Sequence, residues 1–308
     1  MAKAEPMLVN VAVNGWLILD KPLGMTSAAA VARVRKLFSA AKAGHAGTLD
    51  PLAAGLLPIA FGEATKTVSL VMDGWKTYRF TVGWGSQTTT DDAEGIVTDR
   101  SAIRPASEDI KALLPRFIGR IDQVPPSFSA ILVDGERAYA KARQGRVVSL
   151  ASRSVTVQAL ELLEARPDEA EFELRCGKGT YVRAIARDLG RALGCFGHVT
   201  ALRRTATGPF TENDMISLEK LEEFSHNDAG RKAMMTVIRP LRTALDDIPA
   251  LALSEADSAR LRQGQSVALR CVGSPREGDI VLVLSNEKPL ALAALKDGVL
   301  HPKRVFNL

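Results

Sequence analysis

The sequence predicts an α+β protein with one large domain and a small β domain near its carboxyl end. The 308 residues are 46% hydrophobic and 24% charged, as in ordinary globular chains, and the length suits one large domain plus one small one. Up to about residue 245, apolar runs with strand spacing alternate with runs at helical spacing. After Leu251 the pattern changes to short apolar runs broken by Gly, Pro and Asp, which favours a small β domain.

The first predicted elements are a strand and a helix. Residues 15–19 form a short apolar run that leads into a turn at residues 20–24, so they predict a strand. Thr26 or Ser27 can cap a helix, because the apolar residues that follow recur at helical spacing. A second helical stretch is predicted from Glu63.

Residues 44–55 place a single carboxylate in a glycine-flanked segment. Glycine tolerates backbone dihedrals that other residues avoid, so such a loop can approach a large ligand closely. Pro51 suits the first position of a helix because it has no N–H to leave unpaired. The pattern therefore predicts Asp50 at a loop–helix junction, although an Asp before Pro by itself indicates only a turn or a cap.

Residues 75–84 alternate as a half-buried strand does. Tyr78 shares a face with Phe80 and Val82, so the alternation alone predicts that Tyr78 lies in the core. Residues 88–95 are polar and rich in turn formers. Their carboxylates lack EF-hand spacing, which favours a solvated loop over a cation site.

The rest of the chain carries further helices and strands. Residues 122–152 stand apart, because a Pro-Pro pair opens a mixed, basic stretch that is typical of an excursion from the core. Residues 212–245 are expected to be helical and connective. The other predicted elements are a helix at 107–119, strands at 155–163 and 171–176, a helix at 181–193 that ends at Gly194, and strands at 266–272, 279–284 and 290–296.

Positive charge is concentrated in two regions. The whole chain has a net charge of +5. Residues 175–204 hold seven basic residues and one acidic residue, and residues 134–153 hold five and two. A clustered excess of this kind suits a phosphate-backbone partner, although solvated helix faces are the favoured explanation of a charge run alone.

Cysteine usage and hydropathy predict a cytoplasmic protein. The three widely spaced cysteines suit a reducing compartment better than a disulfide framework. Cys195 and His198 have a possible ligand spacing, but no second Cys/His pair accompanies them, so we expect no metal site. No apolar run reaches the length of a membrane span, and residues 7–13 are too short for a secretory signal.

Five motifs resemble, in their order and spacing, those of the bacterial TruB-type tRNA pseudouridine synthases. They are Lys21-Pro22, residues 44–55, Lys76-Thr77-Tyr78-Arg79, Lys178-Gly179-Thr180-Tyr181-Val182-Arg183 and Leu202-Arg203-Arg204. The resemblance covers nearly the whole chain, from about residue 14 to residue 301. Its most specific motif runs from His45 to Pro51, and the region after residue 246 carries few diagnostic residues.

The resemblance implies a fold and a division into domains. The fold would be that of the pseudouridine synthases, a mixed, largely antiparallel sheet with flanking helices, plus a small C-terminal PUA-like β-barrel. Residues 14–245 would form the catalytic domain, with residues 122–152 as a thumb-like insertion that closes over RNA. Residues 246–308 would form the PUA-like domain, and residues 1–13 an N-terminal extension.

The resemblance also implies the reaction. Enzymes of this family break the N1–C1′ bond of a T-loop uridine, turn the base and rejoin it through C5. This isomerisation includes no redox step and no phosphoryl transfer, so it implies no cofactor and no metal. Asp50 would be the catalytic carboxylate, acting either as a nucleophile or as a base in an elimination route.

The resemblance implies further site residues, at the positions of this sequence that match the family's motifs. Arg183 would pair with Asp50, and Tyr78, Tyr181 and Leu202 would border the uracil, where aromatic faces replace lost base stacking. For Tyr78 this replaces the core prediction, since its strand face would then open into the active-site cleft. His45 would insert into the T-loop and occupy the place of the flipped base. Lys21 and Pro22 would support the site by positioning and packing.

The expected partner is tRNA, bound at its T-arm and elbow by a monomer with no membrane attachment. Two alternatives stay open at this point. The protein could act mainly as an RNA-folding or assembly factor that binds tRNA elbows, with catalysis secondary. It could also use the same chemistry on ribosomal or messenger RNA. The length and small tail disfavour a guide-RNA-dependent relative.

Overall fold

A mixed ten-stranded sheet dominates the computed structural model, which describes residues 13–226, 228–269 and 275–308. The strands are, in chain order, β1 (Gly15–Lys21), β2 (Ala43–His45), β3 (Ala53–Phe61), β4 (Lys76–Trp84), β5 (Ser86–Thr88), β6 (Val97–Arg100), β7 (Gly119–Gln123), β8 (Leu132–Val133), β9 (Glu136–Arg137), β10 (Arg153–Ala165), β11 (Glu169–Cys176), β12 (Gly197–Thr207), β13 (Phe210–Thr211), β14 (Ile216–Ser217), β15 (Ala250–Ala252), β16 (Val267–Ala268), β17 (Ile280–Ser285), β18 (Lys288–Lys296) and β19 (Val299–Val305).

The order of strands in the large sheet is β14-β1-β3-β12-β4-β11-β10-β7, with β2 paired to β3 and β13 to β12. Only β1–β14 and β3–β12 are parallel among its described pairs. The predicted mixed, largely antiparallel sheet is confirmed. Strand β12 joins the two halves, because it lies between β3 and β4.

Helices flank this sheet. They are α1 (Ser27–Leu37), α2 (Val68–Asp73), α3 (Ser107–Leu113), α4 (Ala138–Arg143), α5 (Val182–Ala192), α6 (Leu218–Ser225), α7 (Asp228–Thr236) and α8 (Glu255–Arg262), with 3-10 turns at Gly62–Thr67, Leu114–Phe117, Glu212–Asp214 and Leu241–Leu245. Thr26 caps α1 as predicted, because its hydroxyl accepts the Ala29 N–H at 3.1 Å. Gly194, with a φ of 70°, follows α5 as predicted.

Helix α5 lies directly on the sheet. A Cβ at Gly190 would come within 2.2 Å of the Gly197 backbone nitrogen, so only glycine permits this close approach. The helix buries its apolar side in a cluster that we call the α5 cluster, which includes Phe80, Phe172 and Leu189. This packing fixes the first turn of α5 relative to β12 and β4.

Two further clusters surround the sheet. The α1 cluster packs Val34 of helix α1 against β1 and β3, with Leu17 and Ile59 among its members. The Trp16 cluster includes side chains from both ends of the chain, Trp16 from β1 and Phe306 from the C-terminal region. The hydrophobic core therefore continues from the large sheet to the C-terminal strands.

The C-terminal region is a five-stranded sheet in the order β15-β17-β18-β19-β16. Its apolar side packs with Leu261 of α8, so the predicted small β unit is confirmed. The predicted strand at residues 266–272 is shorter, covering Val267–Ala268, and its remaining residues from 270 onward lie outside the described part of the chain. So do Cys271 and all but the last residue of the predicted N-terminal extension 1–13.

Residues 124–152 leave the large sheet between β7 and β10. They contain the hairpin β8–β9 and the short helix α4. The expected excursion is present, although its first two expected residues belong to β7.

Candidate active site

Asp50 lies in the loop between β2 and β3, and Pro51 begins a turn rather than a helix. The predicted loop–helix junction is therefore wrong. Residues 53–61 form a nearly unbroken apolar run that is buried as a strand, and the Ala53 N–H closes the turn on Asp50 O at 3.0 Å. Ser27 anchors the loop, because its hydroxyl bonds both the N–H and the carbonyl of Leu49.

Arg183, in the first turn of α5, forms an ion pair with this carboxylate. Its Nη2 lies 2.8 Å from Asp50 Oδ2. The Arg183 side chain is 7% exposed, whereas that of Asp50 is 44% exposed. The arginine is thus fixed in the protein, while the carboxylate keeps a face open to solvent and to a ligand.

Arg183 is itself held by three further groups. Its Nη1 donates to Thr90 O at 2.9 Å and lies 3.4 Å from Asp92 Oδ2, and its Nη2 donates to Phe128 O at 3.0 Å. A planar guanidinium offers several donors in fixed directions, so these contacts leave it one orientation.

The loop of residues 88–95 was expected to be solvated, and this expectation is wrong. Asp91 and Asp92 are 6% and 5% exposed, because they pair with Arg187 and Arg183. The sequence reading missed both carboxylates. The signal that points to them is the pair of arginines four residues apart on the apolar side of α5, since buried arginines need acidic partners.

Lys21 is fully buried at the end of β1. Its Nζ donates to Pro22 O at 2.9 Å and to Met25 O at 2.8 Å. Burial lowers the pKa of Lys21 to about 8; nearby Asp50 opposes this shift and Arg204 adds to it. The turn after Pro22 also reaches the loop that carries Asp50, because the Gly24 N–H donates to Pro51 O at 2.8 Å.

Arg204 on β12 is buried, with 1% exposure. Its Nε donates to Leu56 O at 2.8 Å and its Nη2 to Gly47 O at 3.0 Å. These carbonyls lie on either side of Asp50 in the sequence, so one side chain joins the start of its loop to strand β3. No carboxylate lies within ion-pair distance of Arg204 in the described ranges, which leaves its charge to act on neighbouring groups.

Tyr78 and Leu202 lie where the α5 and α1 clusters meet, because each packs against both. The strand register puts Tyr78 opposite Arg204 and Leu202 beside Ala53, close to Asp50. Burial raises the pKa of the Tyr78 phenol, and Arg204 opposes that shift. The expectation that the whole strand face opens into a cleft is wrong, since Phe80 on that face is fully buried; Tyr78 is partly buried.

Tyr181 and His45 lie on two different elements next to residues of the site. Tyr181 immediately precedes α5, its N–H and carbonyl are both held by the Gln123 side chain, and the Arg153 guanidinium lies 4.9 Å from its ring centre. His45 ends β2, and its buried Nδ1 has no hydrogen-bond partner in the described part of the chain. Burial lowers the pKa of His45, and Arg204 adds to this shift.

The loop that carries Asp50 therefore contacts α5 through Arg183, β12 through Arg204 and the turn after β1 through Gly24. Within the described ranges, no three His, Cys, Asp or Glu side chains are placed to hold a metal ion. Among those same residues, no helix is long and apolar enough to cross a membrane.

Comparisons with known proteins identify the family of this chain. Sequence profiles of the TruB family pseudouridylate synthase N-terminal domain, the tRNA pseudouridylate synthase B C-terminal domain and the pseudouridine synthase II TruB C-terminal region match residues 35–182, 183–246 and 249–306. The chain is 57% identical over 298 residues to tRNA pseudouridine synthase B of Rhodopseudomonas palustris, covering 96% of this chain and 81% of that protein. This chain belongs to the TruB family of tRNA pseudouridine synthases.

A second TruB relative matches this chain over nearly the whole length of both proteins. The protein of Caulobacter sp. (strain K31) is 52% identical over 307 residues, covering 96% of this chain and 97% of the relative. The predicted membership of the TruB family, and with it the isomerase class, is confirmed.

Solved structures show the same fold. A chain of a Cbf5-Nop10-Gar1 complex matches with a TM-score of 0.73 and 25% identity, covering 95% of this chain and 85% of that one. A chain of the archaeal box H/ACA sRNP Nop10-Cbf5 complex matches with a TM-score of 0.74 and 23% identity, covering 98% and 89%. The predicted pseudouridine synthase fold is confirmed.

Proposed function

We propose that this protein converts the T-loop uridine of tRNA to pseudouridine and that Asp50 is its catalytic group. The observation that carries the proposal is the 2.8 Å ion pair between Asp50 and the buried Arg183. A carboxylate fixed by a buried guanidinium on one side and open on the other can meet a reacting sugar or base without first being reoriented.

The reaction balances within the nucleotide. The N1–C1′ bond breaks, a C5–C1′ bond forms, C5 loses a proton and N1 gains one. Asp50 acts in this sequence either as a nucleophile toward the sugar or base, or as a base in an elimination route. Neither route requires electrons or a group from outside the nucleotide and the chain.

The surrounding side chains receive the extruded base. Tyr78, Tyr181 and Leu202 border the uracil, with the aromatic faces replacing part of its lost stacking. His45 enters the T-loop and fills the place that the base leaves. Its support is the position of β2, which carries His45 on the same hairpin that presents Asp50.

The rest of the chain binds and positions the tRNA. Residues 14–245 are the catalytic domain, residues 122–152 are a thumb-like insertion whose basic side chains meet phosphates of the T-arm and elbow, and residues 246–308 are a PUA-like domain. Lys21 and Pro22 support the catalytic loop. The enzyme works as a cytoplasmic monomer with no cofactor or metal.

The Asp50→Asn variant tests this proposal. Tritium release from T-arm stem-loop RNA labelled at C5 of uridine measures the loss of the C5 proton. We expect the single-turnover rate to fall by a factor on the order of a thousand or more, because the variant keeps the shape of Asp50 and loses its nucleophilic charge. RNA binding, measured by filter retention, should persist.

A matched control is the Asp168→Asn variant. Asp168 also pairs with an arginine, Arg104, at 2.7 Å, but its side chain is 78% exposed at the surface. This variant should turn over like wild type. Turnover by Asp50→Asn at the wild-type rate would refute the assignment.

A further inference from the structure

A second buried Arg–Asp pair lies one helical turn beyond Arg183. Arg187 is 7% exposed and its Nη1 lies 3.0 Å from Oδ2 of Asp91, which is 6% exposed. Arg187 Nε also pairs with Asp188 Oδ1 at 2.8 Å. A buried arginine that contacts two carboxylates has little freedom to move, and its ion pairs restrict the positions of both carboxylates.

Asp91 has an uncommon backbone conformation that the pairing supports. Its φ is 59°, in the left-handed region that residues other than glycine rarely adopt. Strained backbone of this kind persists where the surroundings hold it, and it concentrates near functional sites. The next residue, Asp92, is the one whose carboxylate contacts Arg183. The pairing of Arg187 with Asp91 therefore holds the residue next to Asp92, whose carboxylate also accepts from Thr90 Oγ1 and from the Glu94 N–H.

The two arginines also hold the start of the 124–152 segment. Arg187 Nη2 donates to Val124 O at 2.8 Å, and Arg183 Nη2 donates to Phe128 O at 3.0 Å. Because residues four apart on a helix share one face, a single face of α5 contacts the catalytic carboxylate, the 88–95 loop and the base of the insertion.

We propose that Arg187 is a positioning residue for catalysis. Through Asp91 and Val124 it holds the Asp92 loop and the base of the insertion, so that Arg183 keeps Asp50 in its reactive orientation while the insertion contacts RNA. This inference rests on the proposed role of Asp50, and Asp50→Asn accompanies every assay below so that the two can be judged separately.

The double variant Arg187→Met/Asp91→Asn removes both charges and avoids leaving one of them buried alone. We expect its single-turnover rate on a T-arm stem-loop, at saturating enzyme and well below its Tm, to fall ten- to a hundredfold, on the order expected for a displaced reacting group. The Kd for the RNA should stay within about threefold of wild type. Adding Arg183→Lys should lower the rate less than Arg183→Lys does alone in wild type, since both changes act through the same ion pair.

The matched control is Arg104→Met/Asp168→Asn, which removes an exposed Arg–Asp pair and should leave the rate unchanged. Arg187→Lys, which keeps the charge, should recover part of the lost rate. If the double variant does not fold, Asp91→Asn alone allows the same comparison, because it keeps the side-chain volume.

Two results would overturn the inference. A rate within twofold of wild type together with a lower Tm would show a purely structural pair. An unchanged saturated rate with a weaker Kd would show that the pair shapes only the RNA-binding surface. Activity in Asp50→Asn would instead refute the proposed function.

Discussion

At the residue scale, the ammonium group of Lys21 is unusual because it is fully buried and bonds only carbonyl oxygens in the described part of the chain. Burial is the main reason why its pKa falls to about 8. A buried cation of this kind costs stability, and the cost persists for as long as the group stays protonated in the folded state. Asp50 is the nearby negative charge that partly compensates for it.

This pKa gives stability a pH dependence of known sign. Between pH 8 and the ordinary lysine pKa of 10.5, the unfolded chain holds a proton that the folded protein has released, so the Lys21 contribution to the free energy of unfolding rises with pH. From pH 8 to about pH 9.5, wild type should gain about 1 to 2 kcal/mol relative to Lys21→Met. Urea unfolding of both proteins at the two pH values measures this difference, and equal pH slopes would contradict it.

Some contacts of single residues could be predicted from the sequence and others could not. The Asp50–Arg183 contact was expected only from the family resemblance, because more than a hundred residues separate the two and Arg183 alone would be taken for an exposed helix arginine. The burial of Asp91 and Asp92 was not predicted. A polar, turn-rich stretch is ordinarily solvated, and these carboxylates are buried because arginines from a distant part of the chain pair with them. Only the packing of α5 on the sheet supplies those arginines.

At the scale of elements, the loop between β2 and β3 depends on a glycine close to β12. Gly55 has a φ of 96°, and a Cβ there would lie 2.4 Å from Arg204 O and 2.9 Å from Arg203 Cγ. Gly44, in β2, has no heavy atom within 4 Å of such a Cβ. The two glycines thus sit on one hairpin with opposite tolerance for a side chain.

Substitution by alanine should destabilise the protein much more at Gly55 than at Gly44. Gly55→Ala should lower the free energy of unfolding by about 3 kcal/mol or more, because it adds a backbone clash to an unfavourable φ. Gly44→Ala should change it by less than about 1 kcal/mol. Urea titrations at neutral pH measure both free energies. Similar stabilities for the two variants would show that β12 shifts to accommodate a Cβ at residue 55.

Periodicity predicted several of the longer elements and missed β3 and β12 at the centre of the large sheet. Alternation identified β4, and helical spacing with a cap identified α1 and α5. Strand β3 was hidden, because a strand buried on both faces shows no alternation and Pro51 resembled a helix start. Strand β12 was not predicted either, because its buried Arg204 makes it look like a surface segment.

At the scale of the whole molecule, one hydrophobic cluster joins the two sheets. Trp16 and Ile18 of the large sheet belong to the same cluster as Leu292 and Phe306. Two hydrogen bonds also join the large-sheet region to the C-terminal residues: Lys66 Nζ donates to Val305 O at 2.7 Å, and the Asn307 N–H donates to Glu63 Oε2 at 2.8 Å. We therefore expect the two sheets to unfold together.

Truncation of Phe306 tests this coupling. Phe306→Ala should lower the free energy of unfolding by about 3 to 5 kcal/mol and leave a single calorimetric transition. Leu308→Ala, at a side chain that is 57% exposed, should change it by less than about 0.5 kcal/mol. A separate, earlier transition of the C-terminal sheet in Phe306→Ala would show that the sheets are independent.

The position of β12 has a consequence for synthesis on the ribosome. Strands β3 and β4 leave the exit tunnel long before β12, which must then enter between them. Until it does, the nascent chain exposes two open strand edges. Insertion of β12 therefore joins the two halves of the large sheet late in synthesis, and β13 and β14 pair with the sheet only after it. Helix α5, which carries Arg183, gains the strand on which its Gly190 packs in the same late step.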